Sequence, residues 1–321
     1  MRVAAGDRDR QADAPGVEAD RRILEPGRRT VTREAWHRWG DEDERGALNH
    51  IDGSQVRDAA ALVRSGQVLS LAQPLSPQTP VPQHRAGVQH FMGRDGGDYA
   101  AGARRPGGFQ FAEDTVVLPL HIGTHIDALC HAWYDDALYN GFPGSGTRST
   151  SGATRCGIDK MGPIVGRGVL LDIAGLHGGP LPDGAAIGRA ELQRAATNAG
   201  VDPGKGDIVL IRTGWAESQG RAEAVSFNGE PGLDIEAALW LAEREIAVLG
   251  ADNFAIEVIP FVRGTVFPVH QRLIRDFGIA LLEGLVLQQL AATGRHEFLF
   301  AASPLPVLGG TGSPISPIAV L

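Results

Sequence analysis

The chain has 321 residues, enough to bury a substantial core without staples, and its 43% apolar and 21% charged fractions are those of an ordinary globular protein. A formal net charge of −8 argues against a nucleic-acid partner, because phosphate binding needs a basic field. With only two cysteines, Cys130 and Cys156, a disulfide scaffold is excluded, and no stretch approaches the ~20 apolar residues of a membrane span.

Residues 1–30 mix Asp, Arg, Gly and Pro with few apolar anchors, which predicts a disordered or arm-like tail before a single domain over 31–321. No apolar signal core is present in it, so the default compartment is the cytoplasm. Trp36, Trp39, Leu48 and Ile51 supply the first anchors. A helix follows, with Ser54 as N-cap, Val56, Ala60 and Val63 on one face, and Gly66 as its stop. Residues 74–116, rich in Pro, Gly and Gln with few periodic apolar positions, read as a long loop, functional or disordered. Beyond it, apolar runs predict strands over 115–127, 168–174, 207–214, 246–252, 279–284 and 297–303. Amphipathic helices are predicted over 189–199 closed by Gly200, 234–245 opened by Asp234, and 270–277 closed by Gly278, with a short one within 285–292. Strands separated by helices of this length indicate an α/β fold with some parallel pairing.

The run His121-Ile-Gly-Thr-His125-Ile-Asp127-Ala-Leu-Cys-His131 carries the chemistry. It continues the apolar run that precedes it, so its start is placed on a strand. A period of two then sets His121, Gly123, His125 and Asp127 on one face. Two imidazoles and a carboxylate suit Zn²⁺ and are compatible with Mn²⁺ or Fe²⁺. A single core histidine is usually just hydrogen-bonded, but three histidines and an aspartate this close are costly to bury without an ion. A structural zinc site is disfavoured because Cys130 has no CxxC partner.

This run resembles the H-x-G-T-H-x-D-x-x-x-H signature of the cyclase family of metal-dependent hydrolases, which includes bacterial kynurenine formamidases and isatin hydrolases. RWGDEDERGALNHI, HAWYDDALYNG, RGVLLDIA, RTGW, GADNFAIEVIP and VHQRLIRDFGIALLEGLVL are similar to the family's longer members, so the likeness covers most of 36–290. The resemblance implies a curved, barrel-like mixed sheet with flanking helices. It implies that His121, His125 and Asp127 form the first metal cluster, with Asp127 able to bridge two ions. It assigns His131 to proton transfer, and His270 and Glu283 to a second metal position, for one or two Zn²⁺ or Mn²⁺ ions per chain. One departure is Leu129, where the formamidases carry proline, and this draws the chain away from kynurenine formamidase itself.

The implied activity is hydrolysis of an amide, lactam or lactone of a small cyclic or aromatic substrate by metal-activated water. Run in reverse, the same site would serve a biosynthetic cyclase or dehydratase. A catalytically silent metal-binding homologue would be expected to have lost Asp127 or His131, and both are present. Trp39, Asn49, His90, Tyr139 and Asn140 are candidate pocket residues. Cys130 is rejected as a nucleophile because activated water already fills that role. The expected partners are a small-molecule substrate and further copies of the chain in a homo-oligomer, with no nucleic acid and no membrane.

Overall fold

Four apolar runs set the centre of the molecule, whose computed structural model describes residues 35–219 and 225–321. The tail expected over 1–30 lies outside the described residues. Ile164–Asp172, Ile208–Arg212, Val248–Ala251 and Ala280–Glu283 pair side by side in parallel. Consecutive residues such as Val209, Leu210 and Ile211 are fully buried, as in strands covered on both faces. Antiparallel strands extend this block on each side. Glu297–Ala302, Ile318–Val320 and Val68–Ser70 follow in order beyond Ile164–Asp172, while His125–Asp127 and Gly312–Pro314 follow beyond Ala280–Glu283. The result is the curved, nine-stranded mixed sheet with helices that the α/β reading expects. Among the described residues no helix is long and apolar enough to cross a membrane.

Glu297–Ala302 shows how the core is filled. Phe298, Phe300 and Ala302 alternate inward, and Phe298 sits opposite Gly168 on the next strand. Any Cβ at Gly168 would overlap the Phe298 ring, so glycine there makes room for a fully buried aromatic. Phe298→Ala is expected to cost about 3–5 kcal/mol of stability. A lowered denaturation midpoint by circular dichroism would show it, and an unchanged midpoint would contradict it.

The crossover helices follow the sequence pattern closely. In Arg189–Ala199, Leu192, Ala195 and Ala196 form the buried stripe, and Gly200 closes the helix at φ 66°. In Ile235–Glu243, Asp234 accepts the Ala237 N–H at 2.7 Å as N-cap.

Four expectations need correction. The first helix is Gly53–Ala60, capped by Asp52 rather than Ser54 and ending well before Gly66. Asp52 Oδ1 accepts the Ser54 and Gln55 N–H groups while Gln55 reaches back to the Asp52 N–H, a reciprocal cap that requires the earlier start. The region 74–116 is no plain loop: Gln89–Arg94 pairs antiparallel with Glu113–Val117, and a short helix, Gly96–Ala100, lies between them. Nearly every residue of this hairpin is exposed on both faces, so no alternation marked it. Residues 115–117 therefore belong to the hairpin, and the strand of the central sheet begins only at His125. Finally, 270–277 is not one α-helix; the turn Pro268–His270 runs into a π-turn, Gln271–Asp276, before Gly278. A widened turn of this kind is not visible in a 3.6-residue pattern.

Candidate metal centre

His125 and Asp127 are two residues apart on a strand, so they share a face, while Ile126 between them points into the core and is fully buried. His125 lies directly across from Glu283 on the neighbouring strand, and its Nε2 is 3.1 Å from Glu283 Oε2. His121 reaches the same face by a different route from the one its spacing predicts. The segment from His121 to Thr124 is not strand; it bends at Gly123, whose φ of 56° is left-handed. A Cβ at Gly123 would also lie 2.7 Å from Leu75 Cδ2. The bend brings His121 Nδ1 to 2.7 Å from Asp127 Oδ1, and His121 Nε2 is 3.0 Å from Thr311 Oγ1.

His270 enters from the turn before the π-segment. Its Nε2 is 3.0 Å from Glu283 Oε1 and 3.6 Å from Asp127 Oδ2. Its Nδ1 is 2.7 Å from Glu257 Oε1, and Glu257 also accepts the backbone N–H groups of Val269 and His270. Glu257 thus orients the ring so that Nε2 faces the two carboxylates. His131 returns to the site through a tight turn in which its own N–H donates to the Ala128 carbonyl at 2.9 Å. Leu129 in place of proline leaves that turn intact. The His131 ring stacks on His121 at 4.0 Å, and its Nε2 is 3.9 Å from Asp127 Oδ2.

The structure therefore brings all six residues, His121, His125, Asp127, His131, His270 and Glu283, into one cluster. Donor atoms of His121, Asp127 and His131 lie within 4.8 Å of one another, and so do those of Asp127, His270 and Glu283. Asp127 is common to both groups. Its Oδ2 is buried and has no hydrogen-bond partner among the described residues, whereas buried carboxylate oxygens are normally satisfied. Burial would raise its pKa, yet the rings of His131, His121 and His125 hold it below the usual carboxylate range. Burial would lower His125 and His270, but Glu283, with Asp127 beside one ring and Glu257 beside the other, holds both above the ordinary imidazole value. The carboxylates thus favour positive charge at the imidazole nitrogens, a condition that a divalent cation meets. These residues fit a metal.

His131 differs from the rest. Its side chain is 28% exposed, against 12% or less for the other five. Burial, reinforced by His121 and His270, pushes its pKa down to about 4, so it is neutral at pH 7. It opens onto a cavity of about 290 Å³ that His125, His270, Glu283 and Arg85 also line. A second cavity of about 390 Å³ also adjoins His121 and His125 and is walled by Trp215, Phe227 and Phe254. Trp215 Nε1 is a buried donor without a partner among the described residues.

The five pocket candidates lie elsewhere. Trp39 packs edge-on against His50, and Asn49 donates to Asp43 Oδ1 at 2.7 Å. Tyr139 donates to Asp43 Oδ2, and Asn140 bonds the backbone at His37, Gly40 and Asp43. These four tie down the irregular segment 37–49, whose backbone groups have no sheet or long helix to satisfy them. His90 is on the exposed hairpin, 2.6 Å from Asp114. None of the five lines either cavity. Cys130 is buried, its Sγ faces the Gly310 carbonyl, and burial pushes its thiol up to about 12, which leaves it inert. Sequence reasoning gave no role to Glu257, Thr311 or Arg85, although Glu257 lay in a segment already singled out and Arg85 in the 74–116 region.

Comparison with known proteins bears on the family and the fold. The family model described as putative cyclase matches residues 69–258. A solved structure described as a novel cyclase is 39% identical, with 89% of this chain and 99% of that one covered and a TM-score of 0.84. Isatin hydrolase A from Ralstonia solanacearum is 24% identical over 79% of this chain and 91% of its own, with a TM-score of 0.59. A potential metal-dependent hydrolase with cyclase activity is 20% identical over 79% and 98%, with a TM-score of 0.52. The last two share the fold. No match is found among curated proteins.

Proposed function

The chain belongs to the cyclase family, and from that premise we propose that it is a metal-dependent hydrolase that opens an amide, lactam or lactone bond in a small cyclic or aromatic substrate. The observation that carries this reading is the buried Asp127 carboxylate, one oxygen unpartnered, surrounded by histidine rings and faced by Glu283. The names of two proteins that share the fold, isatin hydrolase and potential metal-dependent hydrolase, support the same reading.

His121, His125 and Asp127 would hold one divalent ion, Zn²⁺ or Mn²⁺, and Asp127 with His270 and Glu283 a second. A divalent ion held there supplies Lewis-acid activation of water and of a carbonyl. The remaining chemistry belongs to the chain. His131, neutral and the most open of the six, takes a proton at Nε2 and returns it to the departing nitrogen or oxygen. Glu257 keeps the proton of His270 on Nδ1, so that its Nε2 lone pair stays available. Phe254 and Phe267 give the cavity apolar walls that limit water around the reacting bond.

The test is a screen of metal-loaded protein against small lactams, lactones and N-formyl arylamines. Turnover that chelation abolishes and added metal restores is expected; metal-replete protein inert on all three classes would oppose the reading. The double variant His270→Ala/Glu283→Ala is expected to lower metal content toward one ion per chain by elemental analysis. Wild-type content and activity in that variant would mean the second position is misassigned.

A further inference from the structure

Arg85 stands at the metal cavity without an acid. Its Nη1 donates to the His121 carbonyl at 2.7 Å, and its guanidinium carbon lies 5.4 Å from the centroid of the Phe254 ring. His121 and Phe254 line the cavity together with His131, His270 and Glu283, so these two contacts fix the guanidinium at its wall. Among the described residues the His121 carbonyl is its only hydrogen-bond acceptor, and no carboxylate lies within ion-pair distance. Arg167 pairs with Asp207 and Glu297, Arg212 with Asp172 and Glu217, and Arg275 with Asp276, while Arg45, Arg94 and Arg295, which also lack an acid among the described residues, line neither cavity. A guanidinium has five N–H donors in a fixed fork. Most of them, with a full positive charge, are left unused beside the reacting groups.

The geometry points to Arg85 as the anchor for a carboxylate on the substrate, apart from the bond that is cleaved. The inference rests on the hydrolase reading above and narrows its substrate class to acidic amides, lactams or lactones. The planar fork matches a carboxylate through two parallel hydrogen bonds, and the Phe254 face holds the guanidinium plane while excluding water from one side. A residue that served only to tie its loop to His121 would need one N–H and no accessible charge.

The test uses metal-loaded protein and benzohydroxamate, whose hydroxamate is a general metal-binding group, with its three positional carboxy derivatives. Affinities are measured by calorimetry and so do not depend on turnover. At least one carboxylated isomer is expected to bind wild type about 10- to 100-fold more tightly than the parent, the range for hydrogen bonds to a charged group. Arg85→Gln should abolish that gain, bringing the ratio of carboxylated to parent affinity toward one, and Arg85→Lys should restore part of it. In wild type the gain should shrink as ionic strength rises, a readout that needs no variant. No gain with any isomer, or a gain that survives Arg85→Gln, would overturn the inference. Failure of the parent compound to bind would strike the hydrolase reading itself, and the inference with it.

Discussion

Asp127→Asn is expected to leave the chain without stoichiometric divalent metal and to lower turnover by at least ~10³-fold, since a metal supplies several kcal/mol of transition-state stabilisation. Asparagine has nearly the same shape and can still accept from His121 Nδ1, so the fold is expected to hold. What is lost is the charge at the centre of both donor groups and the free Oδ2. Elemental analysis and circular dichroism on the same preparation would separate metal loss from unfolding. Wild-type metal content in a folded Asp127→Asn protein would contradict the assignment.

His131→Asn is expected to behave in the opposite way, keeping the metal while activity falls. General acid–base groups typically contribute about 10²- to 10⁴-fold. The His131 ring is 3.9 Å from Asp127 at its nearest nitrogen and more exposed than the other five residues of the cluster, so it is placed to exchange protons with a substrate. Asparagine preserves much of its volume beside His121. If metal is lost in proportion to activity, His131 is a ligand and another group moves the proton. If metal and nearly full activity remain, the proton-transfer role is wrong.

The parts of this site that were legible in the sequence are those governed by local periodicity. His125 and Asp127 share a face because they are two apart on a real strand, and Ile126 shows the alternation. His121 joins them, but by way of the left-handed bend at Gly123, where four residues of uninterrupted strand were expected. Glycine allows either path, and spacing alone does not choose between them. Glu283 is brought in by the sheet order, which places Ala280–Glu283 beside His125–Asp127 despite their separation along the chain, and His270 by the turn Pro268–His270. Only the family resemblance connected them beforehand.

The pocket was not legible. Trp39, Asn49, Tyr139 and Asn140 have the residue types of a binding site, yet Trp39 packs on His50, Asn49 and Tyr139 hold the Asp43 carboxylate, and Asn140 holds the backbone of the same segment. Arg85 and Phe254 line the cavity from loops, where no periodicity points inward or outward. The central parallel strands, by contrast, were found easily because burial on both faces leaves long apolar runs.

The most direct test of the central claim is anomalous diffraction from crystals of the metal-supplemented protein, recorded at the absorption edge of the bound metal. The expected result is a peak about 2.0–2.2 Å from an oxygen of Asp127 and at similar distance from histidine nitrogens of the cluster. Metal-supplemented crystals with no such peak, and with both Asp127 oxygens satisfied by protein or water donors alone, would contradict it.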